Sequence, residues 1–324
     1  VARSAEWRPD PPAPVAAGGA TNDTTPVLSG NAEPGSTVTI PDGTTVLGTA
    51  TVGQDGTWSF TTPTLNDGSH SLTTTVTDPA GNTGPASNPF TFTVDTQPPA
   101  AAGDLQLSNS SGTTVEPIAA GGTTNAATPT LSGTAEPGST VTISDGTSVL
   151  GSVTVGANGS WSFTSPSLQD GSHSLTTTVT DPAGNTGPIS TPLTLTVDTT
   201  APAAINDLQV ADNVGDQQGL LASNDFTDDN TPTLSGTSEP GALINIYDGT
   251  VLLGNVTVSQ NGSWTFTTPA LNNGVHNLTV TVTDAAGNVS SATSDFILNV
   301  DAGLPPATTS LQITDDTGNT LVQL

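Results

Sequence analysis

The sequence predicts an all-β fold, and three observations carry that expectation. Apolar residues alternate with Thr and Ser over short stretches, as in Ser139-Thr140-Val141-Thr142-Ile143-Ser144. That is the period-two signature of strands buried on one face. Turn pairs separate the stretches: Asp42-Gly43, Asp145-Gly146 and Asp248-Gly249, then Asp55-Gly56, Asn158-Gly159 and Asn261-Gly262. Such pairs suit tight hairpins that need positive φ. The same text also returns at a fixed interval of 103 residues, marked by Trp58, Trp161 and Trp264, by His70, His173 and His276, and by Asp95, Asp198 and Asp301. A fixed period of this kind marks a tandem array.

The second repeat shows the elements in order. Strands are expected at 105–108, 129–134, 139–144, 148–155, 159–164, 172–180 and 191–197. No stretch has a helical period. About seven short strands in about a hundred residues predict an immunoglobulin-like β-sandwich. His173 stands two residues before the inward Leu175, the place of the corner tyrosine in such a sandwich. A buried imidazole bonded to backbone is therefore expected at all three histidines. The tryptophans alternate in phase with Phe60, Phe163 and Phe266, which predicts core packing rather than a sugar-stacking surface.

The register sets the expected boundaries. Residues 1–10 are an unrelated leader or tag that holds Trp7. Repeats follow at 11–97, 98–200 and 201–303, with 304–324 the first strand of a truncated fourth. Leu105-Gln106-Leu107, Leu208-Gln209-Val210 and Leu311-Gln312-Ile313 are equivalent first strands. The first repeat should have its own near Ala2–Ser4, but that text shows no likeness to the other three.

Composition excludes several functions. The 324 residues carry 29 Asp plus Glu against 2 Lys plus Arg, a net charge of −27. Both basic residues, Arg3 and Arg8, precede Pro9. Nucleic acid needs cationic side chains to displace its counterions, and an anionic membrane surface recruits basic segments. Neither is an expected partner. No apolar run is long enough to insert into a bilayer, and no signal peptide opens the chain. Cysteine is absent, so no disulfide framework or thiolate metal site exists. No G-x-S-x-G, Walker or H-E-x-x-H motif appears, and the chain is not expected to be an enzyme.

The acids are the candidate functional residues. Glu33/136/239, Asp42/145/248, Asp78/181/284 and Asp95/198/301 recur in all three repeats. In an Ig-like sandwich, the loops after the second and sixth strands lie at the end where the first strand begins. Asp95 should therefore approach Glu136, Asp181 and Asn185, with Asp104 in the connection. The second junction repeats this with Asp198, Asp207, Glu239 and Asp284, and Asp301 closes the third repeat. Four converging carboxylates with no Lys or Arg near them would raise one another's pKa. Ca²⁺ takes six to eight oxygens in irregular geometry and would remove the conflict. Turn-capping by acids that face water is the alternative, since Asp in Asp-Pro-Ala-Gly-Asn can make an Asx-turn. A second acidic cluster, Asp212, Asp216, Asp225, Asp228 and Asp229, lies in the third repeat, with a solvated loop as its alternative. The second repeat has Asn109, Thr113, Asn125 and Ala126 at the equivalents of Asp212, Asp216, Asp228 and Asp229.

The text TPTLSGTAEPGSTVTI, NGSWSFT, DGSHSLTTTVTDPAGNTG and LTVDTTAP resembles the bacterial Ig-like repeats of giant type I-secreted surface adhesins, such as the Salmonella giant non-fimbrial adhesin and Bap-type biofilm proteins. The resemblance covers roughly Asn22 to Leu324. It implies an elongated extracellular array at the bacterial cell surface, with Ca²⁺ at domain junctions. The array would project a distal region in adhesion or biofilm formation. The host-cell or surface ligand would be bound by other parts of the parent protein. A monomeric rod is expected. One alternative is head-to-tail self-association through the spare strand at Leu311–Ile313. Another is a glycan- or protein-binding module, for which the sequence offers almost no exposed aromatics.

Overall fold

The computed structural model describes residues 14–111, 114–215, 218–303, 307–310, 312–313 and 322–323. The leader at 1–10, Trp7, Asp216, Leu311, Asp315 and Asp316 lie outside the described residues. Among the described residues every regular element is a strand. The chain divides into two compact units, one with residues up to 122 and 126–197, the other with 123–125 and 198 onward.

In the first unit, the second repeat shows the complete design. One sheet runs Thr114–Ile118, Gly103–Ser111, Thr130–Thr134, Ser160–Thr164. The facing sheet contains Leu193–Val197, Gly171–Thr180, Thr140–Asp145 and Ser148–Thr154 in that order. All seven expected strands form. Alternation is the cause. In Thr140–Asp145, Val141 and Ile143 are buried while Thr140 and Thr142 are half-buried. Gly146 and Gly159 adopt φ of 55° and 78°, the positive values their turns demand. The short strands Thr114–Ile118 and Thr123–Thr124 were not expected. They come from Thr-rich loop text with no clear alternation.

The second unit repeats this arrangement. Gly219–Leu221, Gln209–Asp212, Thr233–Thr237 and Ser263–Thr267 form one sheet. Phe226–Thr227, Phe296–Val300, Gly274–Thr283, Leu243–Asp248 and Val251–Thr257 form the other. Phe226–Thr227 runs parallel to the last strand, closing that edge. The core joins Val210, Leu234, Ile244, Ile246, Leu278 and Leu298, all fully buried. Each such side chain contributes about 1.5–3 kcal/mol of burial. Trp161 and Trp264 are buried, as their phase predicts. Glycine at 151 and 254 lets the outer edges of the Phe163 and Phe266 rings approach the backbone, and a Cβ there would come within 2.8 and 2.7 Å of them.

The first repeat departs from the design. Its larger sheet includes Ala20–Thr21, Phe90–Val94, Gly68–Leu72, Thr37–Asp42 and Thr45–Thr51. Among the described residues, its other sheet has only Val27–Asn31 and Thr57–Thr61. The core splits into two clusters, one around Val38 and Ile40 and one around Leu72 and Phe92. Trp58 is half-buried where its equivalents are buried.

Candidate functional site

The loop after the sixth strand carries the densest polar construction. In Asp181-Pro182-Ala183-Gly184-Asn185, the Asp181 amide donates to the Asn185 carbonyl and the Gly184 amide donates back to Asp181. Gly184 takes φ 97°, which closes the turn. Asn185 then donates its backbone N–H to Asp181 Oδ1 at 2.9 Å and its Nδ2 to Oδ2 at 2.8 Å. Both residues are buried. The same Nδ2 reaches the Asp95 carbonyl at 2.8 Å, across ninety residues of sequence. Asn22 donates its amide to the Ala183 carbonyl at 3.0 Å. Asn22 follows Ala20–Thr21 and Asp95 follows Phe90–Val94, two strands that pair in parallel. The loop thus caps the end of that pair.

The second unit holds the same loop. Asn288 binds Asp284 Oδ1 and Oδ2 at 2.9 and 2.8 Å and reaches the Asp198 carbonyl at 2.8 Å. Burial opposes the charge of Asp284, but the Asn288 bonds and the Ala286 and Gly287 amides hold its carboxyl below the usual range. In the first repeat Asn82 grips Asp78 identically, at 2.8 Å to each oxygen, and both residues are more exposed. There the Asn82 bonds lower the Asp78 pKa.

The other expected junction acids are held by neutral donors. Asp95 Oδ1 accepts the Gln97 amide, Asp198 Oδ1 that of Thr200, and Asp301 Oδ1 that of Gly303. Asp104 Oδ2 accepts Thr134 Oγ1 at 3.0 Å, with φ of 50° at Asp104. Asp207 accepts both groups of Thr237, and the Thr237 hydroxyl bond lowers its pKa. Glu136 and Glu239 are exposed.

In the second cluster, Asp212 and Asp229 are 3% and 1% exposed. Thr227 Oγ1 donates to Asp212 Oδ2 and accepts the Asp229 amide, tying the two together. Asp229 also accepts the Asn213 amide and both donors of Thr231. Asp228 is exposed and its carboxylate lies over Gly215, where a Cβ would stand 2.3 Å from it.

These oxygen-only donors match the chemistry of a hard cation. Among the described residues no three acidic or histidine side chains group closely enough to hold a metal by themselves, so hydroxyl, carbonyl or water oxygens would have to complete any such site.

The fourth recurrent set, Asp42/145/248, has another partner. His173 Nδ1 lies 2.7 Å from Asp145 Oδ2, and Nε2 lies 2.8 Å from the Gln169 carbonyl. Asp145 Oδ1 accepts the Ser174 amide. His70 and His276 repeat this with Asp42 and Asp248 at 2.6 and 2.8 Å. Both ring nitrogens face acceptors, so full satisfaction requires the imidazolium. Burial works against that charge, but the carboxylate bond, the backbone carbonyl and coulombic attraction raise the pKa of all three histidines. The backbone bond was expected and the carboxylate was not. A constant spacing of 28 residues was the only sequence signal for it.

Among the described residues no helix is long and apolar enough to cross a membrane. Among curated proteins, none matches significantly. Solved structures with a similar course include fibronectin(III)-like modules of Clostridium thermocellum CbhA, at 16% identity, covering 58% of this chain and 94% of that one, with a TM-score of 0.35. A biofilm-associated protein BSP domain aligns at 12% identity over 90% of this chain and 67% of the other, with a TM-score of 0.22. The Bacteroides ovatus protein SGBP-B, of a mixed-linkage glucan utilization locus and in complex with a mixed-linkage heptasaccharide, aligns at 13% identity over 89% and 66%, with a TM-score of 0.20. The bacterial Ig-like domain model matches three times in succession, at residues 15–96, 99–199 and 202–302. With the repeated sandwich and its capped strand ends, those matches place the chain in the bacterial Ig-like domain family.

Proposed function

We propose that this chain is a spacer segment of an extracellular bacterial surface protein, one that serves adhesion or biofilm formation by projecting a binding region located elsewhere in the parent chain. One observation supports the reading most directly. The Asn185–Asp95 bond recurs as Asn288–Asp198, with the same atoms and the same separation of ninety residues. A part that repeats its joint suits a mechanical role, in which each domain restrains its neighbour. Ca²⁺ belongs to the proposal as a ligand of the acidic loops. It is supported by the oxygen-only donors and by the absence of any Lys or Arg beyond Arg8. Export by type I secretion would accompany that reading.

Small-angle scattering tests it. The chain should behave as an extended particle, and the double variant Asn185→Ala/Asn288→Ala should show a broader distribution of dimensions. A collapsed particle, or identical profiles for the two proteins, would overturn the spacer reading.

A further inference from the structure

The sheet of the third repeat that holds Leu243–Asp248, Val251–Thr257, Gly274–Thr283 and Phe296–Val300 has an outward face unlike its counterparts. Tyr247, Val275 and Ile297 lie on that face, outside the apolar residues packed on the core. The second repeat has Ser144, Ser172 and Thr194 at those positions. Tyr247 stands opposite Leu252, and Asn299 stands between Phe226 and Val275. Phe226, Val275 and Leu252 are 76%, 71% and 50% exposed. Hydroxyls also give way to amides. Asn245, Asn255, Asn277 and Asn299 replace Thr142, Ser152, Ser174 and Thr196, and the first repeat has hydroxyls there too, at Thr39, Thr49, Ser71 and Thr93.

The buried side of the same strands does not change in kind. Leu175, Leu195 and Val197 become Leu278, Leu298 and Val300, all buried. The contrast is concentrated on the side that core packing leaves free. Thr and Ser already serve as cross-strand partners there in the second repeat, so the fold itself does not require Tyr or Asn.

We propose that this face binds a neutral polysaccharide. No strand residue on it is charged, although the chain carries a net charge of −27. A second copy would bring the same negative charge toward it, and a cationic partner would gain more from the acidic loops. An uncharged ligand avoids both conflicts. Apolar groups also alternate with amides: Asn277 stands opposite Ile297, and the pair Asn245–Asn255 lies beside the pair Tyr247–Leu252. A pyranose has the matching construction, an apolar C–H side rimmed by hydroxyls that both donate and accept. An Asn amide answers such hydroxyls with an acceptor and two donors, and a Tyr ring offers an apolar body with a polar tip. Asn245 Nδ2 donates to Thr283 Oγ1, and Asn299 Nδ2 to the Asn224 and Asp225 carbonyls. Those bonds orient both side chains and leave Oδ1 as the atom each can offer. Asn277 Oδ1 has no partner within the protein. This surface is separate from the Asp284–Asn288 loop that supports the spacer reading, so either proposal can fail alone.

Tyr247 is the single tyrosine of the chain, which gives a site-specific test on the full chain. Protein labelled with fluorotyrosine reports on this face through one fluorine resonance. Galactomannan, laminarin and dextran serve as neutral probes, and alginate as the anionic control. At least one neutral glycan should shift or broaden the resonance with dose, and should retard the chain in affinity electrophoresis several-fold more than alginate does. Asn277→Ser, which keeps the reporter, should weaken the titration several-fold. Asn245→Thr/Tyr247→Ser/Asn277→Ser restores the residues of the second repeat, and should lose the retardation while keeping the melting temperature. No response to any of the three neutral glycans would overturn the proposal, as would a triple variant retarded like the native chain. An equal response to alginate would overturn it too. A resonance that moves with protein concentration alone would give the face to a second copy and overturn the proposal equally.

Discussion

The Nδ2 of Asn185 donates at once to the carboxylate of Asp181 and to the main-chain carbonyl of Asp95. Removing that side chain strips one donor from a buried carboxylate and one from a distant carbonyl. An unsatisfied buried group costs about 1–3 kcal/mol. Asn185→Ala should destabilise by that amount in urea denaturation, and Asn288→Ala, whose Asp284 partner is half-buried, by an amount toward the lower end of it. Asn82→Ala, at an exposed loop, should cost less than about 1 kcal/mol. Equal losses at all three positions would refute a role for the carbonyl bond.

The three histidine–aspartate pairs make stability depend on pH, and the sign follows from the shifts. The histidine pKa values are raised, so their contribution is complete below about pH 6.5 and is lost as pH climbs through the folded-state value. Asp42 and Asp145 are lowered. Burial opposes their charge and the histidine bonds outweigh it, so their contribution holds above about pH 4 and fades in stronger acid. Melting temperature should fall from about pH 6 to pH 8 more steeply in the native chain than in His70→Gln/His173→Gln/His276→Gln. Parallel curves would remove the pairs from the pH response.

Gly254→Ala should destabilise by about 1–3 kcal/mol through overpacking, because the new methyl would lie 2.7 Å from the Phe266 ring. The second change Phe266→Leu should relieve part of that cost. A double-mutant cycle measures the coupling, and strict additivity would show that the ring is not the obstacle.

Calorimetric titration of Ca²⁺ into the chelator-treated chain should release or absorb heat and raise the melting temperature with ligand concentration. Asp284→Asn should remove part of that response. A flat titration with an unmoved transition would leave the acidic loops as hydrogen-bonded turns alone.

Strand order and repeat register were legible because burial on one face imposes a period of two on Val141, Ile143 and their equivalents. The short strands at Thr114–Ile118 and Phe226–Thr227 were not, since edge pairing asks little of side chains. The half-burial of Trp58 in the first repeat was hidden for another reason. Trp58 and Trp161 sit in nearly identical text, and their burial differs through a strand contributed from outside that text. The acids were visible as a recurrent set, but not their partners. Charge balance suggested carboxylates meeting one another, whereas Asp181 is bound by Asn185 and Asp104 by Thr134, and Asp145, outside that expected set, is bound by His173.

The loop of Asp181 and Asn185 recognises the strand end before it through a peptide carbonyl rather than a side chain. Every strand end offers that group whatever its sequence. Neighbouring repeats therefore need no matched pair of residues on the earlier partner. Copies can be duplicated, lost or reordered while the joint stays intact. Length becomes a property that such a protein can change by whole modules, without redesigning a single contact.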